Sequence, residues 1–147
     1  MLKIFYMMAF REKSAWVMAS ALLVGGIFYF WVVAVMSEGI GHLAPPILPL
    51  VAVYSALLAG VAALGHIVIA VLAPKEATAR LDERERALVT RASHRAGLVF
   101  ATGVVLSLGL YLVAYDGNLF FYCVFASLML SQLAGYALQI VSFRTSV

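Results

Sequence analysis

Glu38 and His42 have residue types and a spacing that chemistry can use. They lie four residues apart in the stretch SEGIGHLAPP, residues 37–46, where a carboxylate and an imidazole can share a proton or a metal ion. Two ligands do not complete a zinc site, which usually takes three or four. The pair therefore has two interpretations, an ordinary solvated loop or the centre of a membrane enzyme, and the enzyme ranks last among the functional hypotheses.

His66 is a single titratable residue inside a long apolar stretch. An ionisable residue at membrane depth indicates a functional site by default. A neutral histidine can instead hydrogen-bond to a neighbouring helix and hold the two together. Both interpretations, interhelical contact and a role in moving a proton or binding a ligand, remain open for His66.

The last apolar stretch carries two lines of polar residues at helical spacing. Lipid offers these side chains no hydrogen-bond partner, so we expect them to face the bundle interior or a second copy of the chain. The sequence permits either interhelical contacts or a polar path that includes His66. The residues are Ser127, Ser131 and Gln139 on one line with Gly135, and Gln132 and Tyr136 on the other.

The segment from Pro74 to Arg95 is the one long polar stretch of the chain. It holds six of the ten Lys/Arg residues and four of the seven Asp/Glu residues. Acid–base pairs at i, i+4 favour a solvated helix over about 76–94, although each contributes only about 0.2–0.5 kcal/mol. The alternative is a docking face for a partner protein or for anionic lipid headgroups, with Arg91 and Arg95 well placed for phosphate. The docking residues are Asp82, Glu83, Arg84, Glu85, Arg86 and Arg91.

Composition places these residues in a membrane protein. The chain is 65% hydrophobic and 12% charged, whereas soluble domains carry about 25% charged residues. Stretches of about 20 apolar residues suffice to cross a bilayer. We expect an all-α integral membrane four-helix bundle, a single domain over 1–147, with an amphipathic cytoplasmic helix over about 76–94. The predicted spans are about 15–36, 47–73, 96–114 and 119–143.

The distribution of basic residues predicts the orientation. Cytoplasmic loops carry an excess of Lys and Arg, and here the two loops at 37–46 and 115–118 contain none. We therefore predict cytoplasmic N- and C-termini in the inner (cytoplasmic) membrane. The basic residues flank the spans on the other side: Lys3, Arg11, Lys13, Lys75, Arg80, Arg84, Arg86, Arg91, Arg95 and Arg144.

Small residues predict where helices approach each other. Gly25-Gly26, the ridge of Ala52, Ala56 and Gly60, and the small residues of span three, Gly97 and Gly103 among them, allow close backbone contact. These ridges also predict self-association, with a homodimer as the simplest form. Tyr115 to Asn118 is expected to form a tight turn.

The motifs of common enzymes do not occur in this sequence. It has no phosphate-binding glycine loop, no nucleophile elbow and no HExxH motif. We therefore expect no enzyme and no cofactor or metal. A nucleic-acid partner is also not expected, because orientation in a membrane accounts for the basic residues.

The run Asp82-Glu83-Arg84-Glu85-Arg86, followed by Arg91 and an apolar span, resembles small four-span prokaryotic membrane proteins of unknown function. Those proteins carry an acidic–basic D-E-R motif just before a transmembrane helix. The resemblance covers about twenty residues and the span layout. It implies the four-span fold and no activity.

Two functional hypotheses follow. In the first, the protein is non-enzymatic and binds a partner through its charged cytoplasmic helix. In the second, it is a small transporter or channel for a proton or small solute that uses His66 and the polar lines of span four.

Overall fold

Four long helices make up almost all of the computed structural model, which describes residues 10–72 and 83–145. They are α1 (Phe10–Ile40), α2 (Leu48–Leu72), α3 (Glu83–Ala114) and α4 (Gly117–Thr145). The described residues form no strand, so the all-α prediction is confirmed. Each helix is long and apolar enough to cross a membrane, which indicates a multi-pass membrane protein.

The helix bounds differ from the predicted spans at both ends of α1. The helix already includes Phe10, five residues before the predicted start of the first span at about residue 15. At the other end α1 continues beyond Met36 to Ile40 and stops at Gly41, whose φ is +74°. That left-handed backbone is readily adopted by glycine, and the Gly41 N–H donates to the Ser37 carbonyl at 3.0 Å.

Helix α3 contains residues of both the polar segment and the third span, whose continuity the sequence left open. The described part of the polar segment, from Glu83 onward, and the third span form one continuous helix of 32 residues over Glu83–Ala114, because neither glycine nor proline interrupts the chain between Glu83 and Gly97. At 1.5 Å per residue the helix is about 48 Å long. The predicted start of the polar helix, at 76–82, lies outside the described residues.

The turn between α3 and α4 is confirmed, and side-chain capping accounts for it. Tyr115 has a φ of +51°, and its N–H donates to the Tyr111 carbonyl at 2.8 Å. Asp116 then caps α4, since its Oδ1 accepts the N–H groups of Asn118 at 2.8 Å and Leu119 at 3.1 Å. A carboxylate at this position satisfies N–H groups that have no partner within the helix.

The helices pack in the order α2–α1–α4–α3. Gly25 and Gly26 of α1 lie against Tyr54 of α2 and Met129 of α4 respectively. This confirms the close approach predicted at the glycine pair. Gly103 of α3 lies directly against Ser127 of α4, so that any Cβ at residue 103 would collide with the serine side chain.

Aromatic side chains fill the centre of the bundle. Tyr29 is 1% exposed and its ring packs against Tyr54, Tyr122 and Phe125, with centroids 4.8–6.5 Å apart. Tilted and edge-on arrangements of this kind are favourable for aromatic rings. The core therefore joins α1, α2 and α4, while α3 is attached through α4.

The loop between α1 and α2 is fastened to α4. The Tyr122 hydroxyl donates to the Ala44 carbonyl at 3.0 Å, and the Asn118 amide donates to the Leu43 carbonyl at 3.3 Å. Within the loop, the Ala44 N–H donates to Ser37 Oγ at 2.9 Å. These bonds satisfy backbone groups that the prolines leave outside any helix.

Candidate functional site

A half-open groove of about 350 Å³ lies between α3 and α4. We call it the α3/α4 groove. Its floor is made of small residues, because Ala96 of α3 and Gly135 of α4 bring the two helices close together. Its walls carry polar side chains from both helices. The groove is lined by Ser93, Ala96, Gly97, Phe100, Leu128, Ser131, Gln132, Gly135, Tyr136 and Gln139.

The groove collects four of the six residues predicted for a polar path. Ser131, Gln132, Tyr136 and Gln139 all line it, because residues three, four and seven apart share one face of a helix. Ser127 continues the same line but contacts Gly103 beyond the groove. The i+4 pattern thus located one wall, and it could not indicate that α3 supplies the other.

The two serines are satisfied within their own helix. Ser127 Oγ donates to the Cys123 carbonyl at 2.7 Å, and Ser131 Oγ donates to the Leu128 carbonyl at 2.9 Å. The sequence suggested partners on other helices, but short hydroxyl side chains reach the carbonyl one turn back. No hydrogen bond from Gln132, Tyr136 or Gln139 is made to any described residue. With Ser93, which likewise makes no hydrogen bond to a described residue, they are the groove's available polar groups.

Polarity changes along the groove. Ser93 and Gln139 lie at the end nearest the charged part of α3, whereas Phe100 and Leu128 lie about two turns deeper. Beyond them the contact between Gly103 and Ser127 closes the space between the helices. The groove therefore carries polar groups from its mouth to Gln132 and Ser131, has apolar surface from Phe100 and Leu128 at its inner end, and is blind there.

Gly97 does not make the helix contact that its type predicted. A Cβ at residue 97 would meet no atom within 4 Å, although the residue lines the groove. Gly103 and Ala96 make the close contacts of α3 with α4 instead, with Ser127 and Gly135 respectively. Gly97 thus keeps the groove open.

The charged end of α3 is displayed on a continuous helix. Arg86 and Arg91 are exposed, as is Glu83. Ala87, Arg91 and Arg95 are all exposed and lie at i, i+4 and i+8, so they form one face, which we call the arginine face. Of the other predicted docking residues, Asp82 lies outside the described residues, as do the side chains of Arg84 and Glu85.

Arg86 belongs to a different face of α3. It is seven residues, about two helical turns, before Ser93, so it lies on the side of the helix that forms the groove. Neither Arg86 nor Arg91 forms an ion pair with any described side chain. The helix therefore presents positive charge in two directions, one along the groove and one away from it.

Glu38 and His42 are both exposed at the opposite end of the bundle. A ring nitrogen of His42, Nδ1, is 3.2 Å from the Leu43 carbonyl, and no hydrogen bond joins it to Glu38 in the described part of the chain. Within residues 10–72 and 83–145, no three His, Cys, Asp or Glu side chains are grouped so as to hold a metal ion.

His66 lies in α2, next to Gly65, which packs against Val17 of α1. The helices pack in the order α2–α1–α4–α3, so α1 lies between α2 and the two helices that form the α3/α4 groove. The side chain of His66 is outside the described part of the structure, so its share in a polar path stays a prediction.

One polar contact escaped the sequence reasoning. Arg144 Nε donates to Glu12 Oε1 at 2.9 Å, and the Glu12 side chain is only 9% exposed. The Arg144 guanidinium also lies over the Trp16 ring, 5.6 Å from its centroid. The partners are 132 residues apart, so no local spacing could have paired them; the one hint was a lone carboxylate opposite a lone arginine at the far end of the sequence.

Comparison with models of known families, with curated proteins and with solved structures gives no significant match.

Proposed function

We propose that this protein acts without catalysis, by binding a partner through the charged end of α3. The observation that carries the proposal is the continuity of α3 across Glu83–Ala114. A charged segment on a separate loop would lose side-chain and backbone entropy on binding. Charges on a helix that is also a packed span are already ordered, which favours recognition.

The arginine face supplies the complementarity. Arg91 and Arg95 are exposed and lie one turn apart, directly before the predicted third span. Positive charge at this position suits an acidic surface on a cytoplasmic or membrane protein. Residues 82–85 of the adjacent acid–base run would extend the contact, with Glu83 exposed at its described edge, whereas Arg86 lies on the other face.

In-cell photo-crosslinking tests this proposal. A photoreactive residue at Ala87 lies on the arginine face, and one at Leu112 lies near the other end of the same helix and is 66% exposed. We expect a discrete adduct from residue 87 and none from residue 112. Neutralising Arg91 and Arg95 with glutamine should abolish the adduct, while Glu38→Gln, a charge change at the opposite end of the bundle, should leave it intact.

Two results would contradict the proposal. One is an adduct at residue 87 that persists at full yield in the Arg91→Gln, Arg95→Gln variant. The other is a pattern at residue 87 indistinguishable from that at residue 112.

A small transporter or channel is the second candidate, favoured by the grouping of Gln132, Tyr136 and Gln139 in one groove. A continuous path would require the contact between Gly103 and Ser127 to open. Flux of protons or small solutes into proteoliposomes, reduced by Gln132→Leu and by His66→Ala, would support this candidate. Equal leakage from empty and protein-containing vesicles would exclude it.

A further inference from the structure

We propose that the α3/α4 groove is a binding site for one anionic phospholipid. Polar side chains line the groove from its mouth down to Gln132 and Ser131, and an apolar surface completes its inner end. Ser93 and Gln139 lie at the mouth, Tyr136 follows, and Phe100 and Leu128 line the inner end. An amphiphile with a polar head and an apolar chain has the same order of groups.

The hydrogen-bonding groups match a lipid's ester region. The ester carbonyls of a phospholipid accept hydrogen bonds, and Gln139 and Gln132 offer amide donors while Tyr136 offers a hydroxyl. No described residue takes up these groups. The ester group of a bilayer lipid is an acceptor that can reach the depth of Gln132, Tyr136 and Gln139 in the groove.

Charge selects the headgroup. Arg86 is exposed and lies on the groove side of α3, about 10 Å beyond Ser93 along the helix axis. A guanidinium there can bind a headgroup phosphate through two parallel hydrogen bonds. An anionic headgroup leaves net negative charge to match Arg86, whereas a zwitterionic headgroup carries its own cation. We therefore expect a preference for phosphatidylglycerol over phosphatidylcholine.

The closed inner end of the groove determines the path of the lipid's acyl chain. The acyl chain contacts Phe100 and Leu128 and then leaves the groove sideways, because the contact between Gly103 and Ser127 blocks further passage. The volume of about 350 Å³ accommodates the ester region and the first part of one chain. The rest of the lipid remains in the bilayer.

Gly97 provides the test, because a side chain there would occupy the groove without displacing any protein atom within 4 Å of its Cβ. Gly97→Leu fills the site, and Gly109→Leu is the matched control, since Gly109 is also in α3, also has open space at its Cβ and does not line the groove. The probes are dioleoyl phosphatidylglycerol and dioleoyl phosphatidylcholine, titrated into delipidated protein in mild detergent. Native mass spectrometry reports bound lipid and oligomeric state together, and circular dichroism verifies the helical fold of each variant.

We expect one phosphatidylglycerol to bind the unmodified protein at least tenfold more tightly than phosphatidylcholine. Gly97→Leu should weaken phosphatidylglycerol binding by at least tenfold, and Gly109→Leu should leave it unchanged. Arg86→Gln should remove the preference between the two lipids while both still bind. Glycerol 3-phosphate, a free phosphate ester without chains, should not compete at equal concentration.

Several outcomes would overturn the proposal. Equal lipid binding by Gly97→Leu and Gly109→Leu would place the lipid elsewhere. Effective competition by glycerol 3-phosphate would make the groove a soluble-phosphate site. Conversion of a dimer to a monomer by Gly97→Leu, with lipid binding unchanged, would identify the occupant as a second copy of the chain. Arg91→Gln, which lies on the other face of α3, should not alter lipid binding, so the lipid site and the partner-binding proposal can fail independently.

Discussion

The Tyr122 hydroxyl makes one of the two hydrogen bonds that fasten the first loop to α4. Tyr122→Phe removes the bond to the Ala44 carbonyl, 3.0 Å long in the structure, and leaves that carbonyl buried without a donor. We expect the free energy of unfolding to fall by about 1–3 kcal/mol. The measurement is the midpoint of denaturation in mixed detergent micelles, followed by helical circular dichroism.

Tyr111→Phe is the control for this change. Tyr111 is 39% exposed, its ring packs against Phe120, and its hydroxyl bonds to no described residue. The two variants lose the same atom, so equal midpoints for both would show that the Tyr122 bond does not stabilise the loop.

Residue types alone predicted some of these details and missed others. The turn at Tyr115 to Asn118 was predictable because Asp-Gly and Gly-Asn are local signals. The pair of Glu12 and Arg144 was not, because 132 residues separate the partners and only the packing of α1 on α4 brings them together. The same limit hid the role of Gly97, since composition cannot distinguish a glycine that makes a contact from one that leaves a space.

Among the helices, the contact between α3 and α4 depends on the lack of a side chain at Gly103. A Cβ at residue 103 would collide with Ser127, so Gly103→Ala should force the helices apart and cost about 1–3 kcal/mol. Gly109→Ala adds the same methyl where nothing lies within 4 Å. In that exposed helix interior alanine is favoured over glycine by up to about 1 kcal/mol.

We therefore expect Gly103→Ala to lower the denaturation midpoint and Gly109→Ala to raise it, with both variants measured in the same detergent. A Gly103→Ala midpoint equal to or above that of Gly109→Ala would contradict the close approach of α3 to α4.

The number of helices was predictable from the sequence, but their bounds were only partly so. Four apolar runs were sufficient to predict four helices, because a membrane leaves the backbone few alternatives. The bounds were less accurate: α1 extends beyond the apolar run at both ends, since charged and polar residues such as Glu12 and Ser37 are compatible with a helix that leaves the bilayer. The blind end of the groove lay beyond prediction, as it depends on the register of α3 against α4.

In the whole molecule, the antiparallel packing places the ends of the helices in two groups. Arg86 and Thr145 belong to one end of the bundle, and His42 and Gly117 belong to the other. Single cysteines at these positions, in a Cys123→Ser background, should therefore label in two pairs with a membrane-impermeant maleimide. The distribution of Lys and Arg predicts that residues 42 and 117 label in intact cells and that residues 86 and 145 label only after permeabilisation.

The labelling pattern tests the packing of the helices and their orientation in the membrane separately. Labelling of 86 and 145 from outside, with 42 and 117 protected, would reverse the predicted orientation and leave the packing intact. Labelling of residues 42 and 145 from the same side would contradict the packing itself.

The packing order has a consequence for how the protein is made. Helix α4 follows the other three in the chain, yet it lies between α1 and α3 and completes the core around Tyr29. Among the described helices, α1 has only α2 packed beside it until α4 is inserted, and until then the surface of α3 that packs on α4 is uncovered. The core around Tyr29 is therefore incomplete while only α1, α2 and α3 are in place, and it can be enclosed only once α4 has been inserted beside them.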